Sequence, residues 1–382
     1  MKKALAKITE ITSDPYKYVA QLKENSEKKV IGCFPMHVPE EIVHAAGMLP
    51  VVIWRGNEPV TWGHAHVQPY NCGITRSFVD DAVRGKLEFM DGMVFHVRQC
   101  LQVGEFPLIM EKHVKPAYME ILYLPPLYEG EAVKSFLLDD LKSFKTSLEK
   151  FAGNKITDND LKNSIAIYNE NRSLLERIYE IRREKPEILK AKEVMQIVWS
   201  SMLMLKEDNN ELLKELIEQM EAKKIEPEKD AIRVIPVGCL CQTMQFSILD
   251  LIEDLGMIIP DDDFYIGSRY FANQVKIHDY DDPIEAIAAR YMTRTPLCPT
   301  KSVWEIHWAD EVLKMAKKNN AKGVISIIVK YCPPHACYYP DFKSVMENEE
   351  MPATMIQVEH EVISLESVKT RLQSFAEIIG GV

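Results

Sequence analysis

Strand and helix signals alternate at both ends of the chain, with a purely helical stretch between them, and this predicts an α/β protein with two parallel sheets. Three observations carry the expectation. Short β-branched runs alternate with amphipathic stretches over residues 30 to 125, the pattern of βαβ units that build a parallel sheet. Residues 130 to 225 place their apolar side chains at helical spacing instead. From residue 231 the strand–helix alternation begins again. The expected architecture is therefore two Rossmann-like or flavodoxin-like domains, residues 28–128 and 229–382, with an additional helical region at 129–228 and an N-terminal helical arm at 1–27. Ligands in such folds bind at the carboxyl ends of the strands, so a site is expected in the cleft between the domains.

In the first domain Val30 and Ile31 begin a strand that stops at Pro35. Pro39 reads as the first position of a short helix, and Glu40 and Glu41 suit its positive end. Gly47 closes that helix before a strand from Val51 to Trp54. CGITRSFVDDAVRGKLEF reads as a helix with Cys72 at its start, and MDGMVFHV as a strand leading into Arg98, Gln99 and Cys100. YMEILYLP is the next strand. In the helical region Thr157 is an N-cap with Asp160 three residues on, a capping box. Leu161, Ile165, Tyr168, Leu174, Leu175 and Ile178 follow at helical spacing, and Pro186 marks the end. Two more helices run through VMQIVWSSMLML and NNELLKELIEQMEAKK.

The second domain reads as the strand AIRVIPV with the loop GCLC, the helix SILDLIEDLG, the strand MIIPDDDF and the helix VWEIHWADEVLKMAKKNN. GVISIIVKYC is then a strand that two prolines end. The helix DFKSVMENE, the strand TMIQVEHE and the helix LESVKTRLQSFAEII complete it. Met93, Phe95, Met202 and Met204 stand at core spacing, and charge runs such as ERIYEIRREK and KEDNNELLKELIEQMEAKK read as solvated helix faces.

Composition narrows the class. The chain has 382 residues, 46% hydrophobic and 27% charged, with a net charge of −11. That charge disfavours a nucleic-acid partner, since a chain this acidic has no general surface for counterion release. No stretch approaches the ~20 apolar residues of a membrane span. The first residues lack an apolar leader core, so a cytoplasmic location is expected. Eight cysteines in a reducing compartment do not read as a disulfide framework.

Five of those cysteines fall at element ends: Cys72 at a helix start, and Cys100, Cys239, Cys241 and Cys332 after strands. Thiolates gathered at one sheet edge could hold zinc or an iron–sulfur cluster. Spacing alone leaves this equal to buried structural thiols, because no paired CxxC motifs occur. A helix start would lower the pKa of Cys72 and favour the thiolate. Cys33 and Cys337 read as structural. His37, in the loop between strand and helix, is the candidate proton donor, although a loop histidine without a role is the commoner case. His335 stands close enough in sequence to hydrogen-bond a cluster sulfur at Cys332.

Several stretches taken together resemble the family of 2-hydroxyacyl-CoA dehydratases and ATP-dependent benzoyl-CoA reductases. They are VPEEIVHAAGMLPV (38–51), YNCGITRSF (70–78), LEFMDGMVF with its following cysteine (87–100), GNKITDNDLKNSIAIYNENRSLLERIYEIRREKP (153–186), IVKYCPPHACYYPDFK (328–343) and VEHEVISLESVKTRLQSF (358–375). The resemblance implies one [4Fe–4S] cluster in the interdomain cleft, with Cys72, Cys100 and Cys332 as its ligands. Pro35 stands where many members carry a cysteine before PEE. With the DDD stretch at 261–263 and TRTPLCPTKS at 293–302, this makes the chain most similar to the smaller catalytic subunit of benzoyl-CoA reductase.

The expected function is reduction of an aryl-CoA ring by low-potential one-electron steps. The alternatives are a 2-hydroxyacyl-CoA dehydratase subunit, which forms an enoyl-CoA, and a non-catalytic electron relay. The resemblance implies a homologous second catalytic subunit, and ATPase subunits that deliver the electrons, with ferredoxin acting indirectly. ATP is used by those subunits; this chain has no GxxxxGK[ST] stretch. Arg76, one turn after Cys72, is the candidate partner for CoA phosphates. Cys239 or Cys241 with Cys298 and Cys332 would form a larger metal set, the less favoured reading.

Overall fold

The computed structural model describes residues 1–34, 37–52, 58–97, 104, 106–125, 129–225, 231–239, 246–294, 299, 307–359 and 365–380. Its elements, in chain order, begin with α1 (Lys2–Ser13), α2 (Pro15–Ser26), β1 (Val30–Phe34), α3 (Glu40–Ala45), β2 (Leu49–Val52), α4 (Gly73–Val83), β3 (Gly92–Val97), α5 (Phe106–His113) and β4 (Tyr118–Tyr123). Four long helices follow: α6 (Glu131–Ala152), α7 (Asp158–Glu184), α8 (Ala191–Ser201) and α9 (Lys206–Ala222). The last part holds β5 (Ile232–Gly238), α10 (Phe246–Asp254), β6 (Met257–Ile258), α11 (Pro283–Ala289), α12 (Trp308–Lys318), β7 (Gly323–Val329), α13 (Pro333–Asn348), β8 (Ala353–Val358) and α14 (Glu366–Gly380).

Two four-stranded sheets result, in the orders β2-β1-β3-β4 and β6-β5-β7-β8, and every pairing is parallel. The α/β class and the two Rossmann-like sheets are thus as the sequence predicts. Every residue of β1 and of β7 is buried, as expected when helices cover both faces of a parallel sheet. In each sheet the strand order reverses beside the first strand, between β1 and β3 and between β5 and β7. The crevice beyond the carboxyl ends at such a reversal is where open α/β sheets take ligands.

The helical region starts as predicted. The Thr157 hydroxyl accepts from the Asp160 amide at 3.2 Å, and the Asp160 carboxylate accepts from the Thr157 amide at 2.8 Å. The core positions Met93, Phe95, Met202 and Met204 are all buried. Among the described residues no helix is long and apolar enough to cross a membrane.

The N-terminal arm is helical, as predicted, and forms two helices with Ala4, Ile8, Ile11, Tyr16 and Val19 in the core. Several other sequence readings change. Pro39 caps α3 and is not its first residue. Helix α4 ends at Val83, so RGKLEF lies in turns. Of MIIPDDDF only Met257–Ile258 pairs as a strand, with a single bridge from Asp263 to Val237, because the three aspartates turn to buried partners. Helix α13 begins at Pro333, where proline's fixed φ suits a first turn, eight residues before the predicted DFKSVMENE. Helices α5 and α11 were not anticipated. The charge runs are not wholly solvated: Arg182 in ERIYEIRREK is fully buried, and Lys206, Asn209 and Asn210 are buried in the next run. Strand residues Ile53 and Trp54 lie outside the described residues, as does VWEI ahead of α12.

Gly238 decides how closely the central strands of the second sheet approach. Its φ is +121°, and a Cβ there would sit 2.2 Å from the Ile327 carbonyl oxygen on β7. A methyl group must therefore displace one strand end as well as strain the backbone. We expect Gly238→Ala to cost about 3 kcal/mol, read as a lower midpoint of urea unfolding. Ile327→Val, on the same strand pair, should cost about 1 kcal/mol.

Candidate metal centre and cleft

At the reversal point of the second sheet two thiols and an imidazole converge. Cys239 immediately follows β5, and its amide donates to the Ile327 carbonyl at 3.1 Å. Its sulfur accepts the Val329 amide at 3.0 Å. Past β7 the chain turns sharply through Tyr331, at φ +65°, and Cys332 becomes the N-cap of α13. One turn into that helix His335 Nδ1 lies 3.4 Å from Cys332 Sγ. The ligand atoms of Cys239, Cys332 and His335 all lie within 4.8 Å of one another. His335 Nε2 is buried, and no described residue hydrogen-bonds it.

The electrostatics separate these thiols. The hydrogen bond between Cys239 and Cys332 holds the Cys332 thiol well below the ordinary thiol range. The neighbouring His335 helps, and together they outweigh burial. Cys72 is the N-cap of α4, as predicted, with its sulfur 3.2 Å from the Thr75 hydroxyl. Its pKa nonetheless moves the opposite way from expectation. Burial raises it, and the charge of Cys332 adds to the rise. A cap position favours a thiolate only where the sulfur is not also withdrawn from water. The same effect places Cys72, at the start of α4, within electrostatic reach of Cys332 at the start of α13.

Behind the group stands a supporting chain. The His335 ring meets Trp308 edge-on at 5.7 Å. Trp308 Nε1 donates to Asp263 at 2.6 Å, and Asp263 pairs with Arg269 through two hydrogen bonds. Such outer contacts fix the orientation of a ligating histidine.

The other predicted residues fall as follows. Cys100, Cys241 and Cys298 lie outside the described residues, as do Pro35, Arg98 and Gln99. Cys33 is buried in β1 and Cys337 is exposed. Arg76 lies one turn into α4, with its amide on the Cys72 carbonyl at 3.1 Å. Its Nε is buried, and no described residue hydrogen-bonds it. His37 lies near the end of β1, at the reversal point of the first sheet, with φ +60°. Its amide donates to the Tyr265 hydroxyl at 3.3 Å. Its ring packs edge-on against Tyr265, Tyr291 and His96, at 5.5, 6.4 and 6.5 Å. A non-glycine residue in the left-handed region is held there by its surroundings, and such positions cluster at functional sites.

Cys239 is one of the five cysteines that the sequence places at element ends, yet as a ligand it is weighed only in a larger set with Cys298 and Cys332. The signal that could have found it was its position one residue beyond a strand next to that of Cys332. Two thiols and an imidazole around one point fit a thiolate-ligated metal. The second sheet therefore places a soft, metal-competent donor set at its ligand-binding edge, which defines an α/β protein with a candidate metal centre.

The chain belongs to the family described as 2-hydroxyglutaryl-CoA dehydratase, D-component, which matches residues 35–379. It is 27% identical to the (R)-phenyllactyl-CoA dehydratase beta subunit of Clostridium sporogenes, over 97% of each chain. It is 27% identical to the beta subunit of lactoyl-CoA dehydratase from Anaerotignum propionicum, over 98% of each. It is 28% identical to a benzoyl-CoA reductase subunit of Thauera aromatica, over 94% of this chain and 93% of that one. Members bearing these names are enzyme subunits.

The lowered Cys332 pKa has a measurable consequence. In the metal-free chain Cys332 should alkylate rapidly at neutral pH, since its thiolate persists at acidity that protonates an ordinary thiol. Removing Cys239 or His335 raises the pKa. Cys239→Ser and His335→Ala should therefore each move the pH at which iodoacetamide capture of Cys332 is half-maximal upward, about one pH unit for each tenfold change in the acid dissociation constant, read by peptide mass spectrometry across a pH series. Cys337 labelling should not change.

Proposed function

We propose that this chain is the cluster-holding catalytic subunit of an ATP-dependent benzoyl-CoA reductase, reducing the ring of an aryl-CoA thioester. The observation that carries the proposal is the convergence of Cys239, Cys332 and His335 at the edge of the second sheet, with Cys72 of the first within electrostatic reach of Cys332. In this reading Cys72, Cys100 and Cys332 hold a [4Fe–4S] cluster in the cleft, and Cys239 and His335 support Cys332. Bound there, the cluster supplies single low-potential electrons to the thioester.

The chain's own residues would do the rest. Cys239 and His335 stabilise the Cys332 thiolate. The buried walls around Cys72 exclude water. Arg76 offers a planar donor to CoA phosphate, in keeping with its buried Nε. His37 delivers protons to the reacting group, supported by its constrained backbone and its place at the reversal point of the first sheet. Electrons come from ATPase subunits fed indirectly by ferredoxin, and a homologous partner chain completes the catalytic pair. The names of the relatives, each called a subunit, agree with a hetero-oligomer.

A second reading, a 2-hydroxyacyl-CoA dehydratase subunit that recycles its electron, is supported by the relatives named as dehydratase subunits at equal identity. The two readings differ in electron stoichiometry. We expect the complex, purified without oxygen together with its partners, to consume reductant and ATP in proportion to benzoyl-CoA. Turnover of a 2-hydroxyacyl-CoA with only catalytic amounts of both, and no ring reduction, moves the assignment to the dehydratase. Iron and sulfide analysis of the same preparation checks the cofactor. Cys332→Ala should remove nearly all of the iron that Cys337→Ala retains. Zinc without sulfide overturns the cluster reading.

A further inference from the structure

Beside His37 the fold buries an acid, a base and a bridging hydroxyl. A cavity of about 20 Å³, room for one water, is lined by His37, Glu40, Tyr168, Tyr265, Tyr270 and Tyr291. Glu40 opens α3 and Lys206 opens α9, and each is less than a tenth exposed. Lys206 Nζ donates to the Tyr270 hydroxyl at 2.9 Å, and that hydroxyl donates to Glu40 Oε2 at 3.1 Å. Lys206 and Glu40 are 3.6 Å apart. Tyr168 donates to the same carboxylate oxygen at 3.4 Å.

A hydroxyl that accepts from an ammonium and donates to a carboxylate can pass a proton without moving. A Lys206 N–H bond breaks as a Tyr270 O–H bond forms, and the original Tyr270 O–H bond breaks as a Glu40 O–H bond forms. An ion pair becomes an amine and an acid, with no electrons exchanged. Burial favours that uncharged form. It raises the Glu40 carboxyl and lowers the Lys206 ammonium, and each opposite charge pulls back. The surrounding charges act in both directions. Glu41 of α3 raises Glu40 and Arg172 of α7 lowers Lys206, whereas Arg172 works against the rise of Glu40 and Glu41 against the fall of Lys206. Arg290 beyond α11 and Cys33 of β1 also face the cluster.

We propose that Glu40, Tyr270 and Lys206 form a buried proton store that feeds His37 across their shared cavity. This rests on the reading of His37 as the proton donor under the proposed function. In the acid form Glu40 releases its proton into the cavity, and His37 receives one there as it gives one to the reacting group. Glu40 is left as carboxylate and Lys206 as amine, and a proton from solvent restores the ammonium. Tyr265, which holds the His37 amide, opens an irregular segment that runs to Arg269 and is capped by Tyr270. One stretch of chain thus positions both ends of the path.

The test is made on the full chain alone, so it needs neither cluster, partner nor thioester, and its failure is separable from failure of the functional reading. Infrared difference spectra of wild type minus Glu40→Gln, in H2O and D2O, should show a deuterium-sensitive protonated-carboxyl band at neutral pH. Lys206→Met, which removes the ion pair, should retain the band to higher pH. Histidine-labelled NMR, with His37 assigned by His37→Asn, should show exchange of its ring proton with solvent slowing about tenfold or more in Glu40→Gln. Glu40→Asp, which keeps the carboxyl, should restore the wild-type exchange rate and serves if Glu40→Gln does not fold. A structural ion pair gives no acid band, and that result overturns the proposal. A band with an unchanged His37 exchange rate overturns it equally, because the store would not reach His37.

Discussion

The close approach of β5 and β7 is the constraint on which the candidate site depends. At Gly238 the two backbones come too near for any side chain, and the next residue is Cys239. That approach lets the Cys239 sulfur take the Val329 amide and reach Cys332. A thiol group that meets across two strands needs both ends fixed to within a fraction of an ångström, since sulfur contacts weaken steeply with distance. Parallel pairing supplies the register, and the glycine supplies the approach.

Helix α7 makes the second structural contribution. Tyr168, Arg172, Tyr179 and Arg183 recur at four- and seven-residue steps along one face. The first two reach Glu40 and Glu41 of α3, beside the first sheet. The last two reach Asp262 and Asp261, beside the second. A buried acid left without its partner costs about 3–5 kcal/mol. The polar face of α7 therefore ties both sheets to one rigid rod. Crowding of acids has a visible effect: burial and the neighbouring Asp261 push Asp262 up to about 6.

Much of the fold was legible because its elements follow local rules. The apolar runs of β1, β5 and β7, the Thr157–Asp160 capping box and the Cys72 cap all depend on residues within a few positions of each other. Helix α13 was misplaced because Pro333 and Pro334 serve equally as a strand terminator and a helix start, and only the tertiary path decides. Arg182 and Lys206 looked solvated because periodicity cannot show that a charged face meets another buried charge. The pairing of Cys239 with Cys332 spans 93 positions, and nothing local encodes it. The direction of the Cys72 shift failed for a related reason: a helix terminus is visible in sequence, but the depth of burial is not.

The two reversal points divide the chemistry between them by the kind of group each one buries. Beyond β5 and β7 lie soft donors, thiols whose charge is stabilised by an amide, by one another and by an imidazole. Beyond β1 lie hard oxygen and nitrogen groups, tyrosines and carboxylates lining one small cavity with His37, Arg172 and Arg290. Soft donors suit a metal that moves electrons, whereas hydrogen-bonded oxygen acids suit protons, which travel only over hydrogen-bond distances. A reaction that adds electrons to a neutral acyl group generates basic intermediates, so a proton source near the electron source shortens the life of each charged species. The two centres depend on the sheets differently. Cys239, Cys332 and His335 all stand at the end of the second sheet, whereas His37 and Glu40, beside the first, meet Tyr265, Tyr270 and Tyr291 from the segments after β6. Separating the sheets would therefore dismantle the acid cluster while leaving the donor set whole.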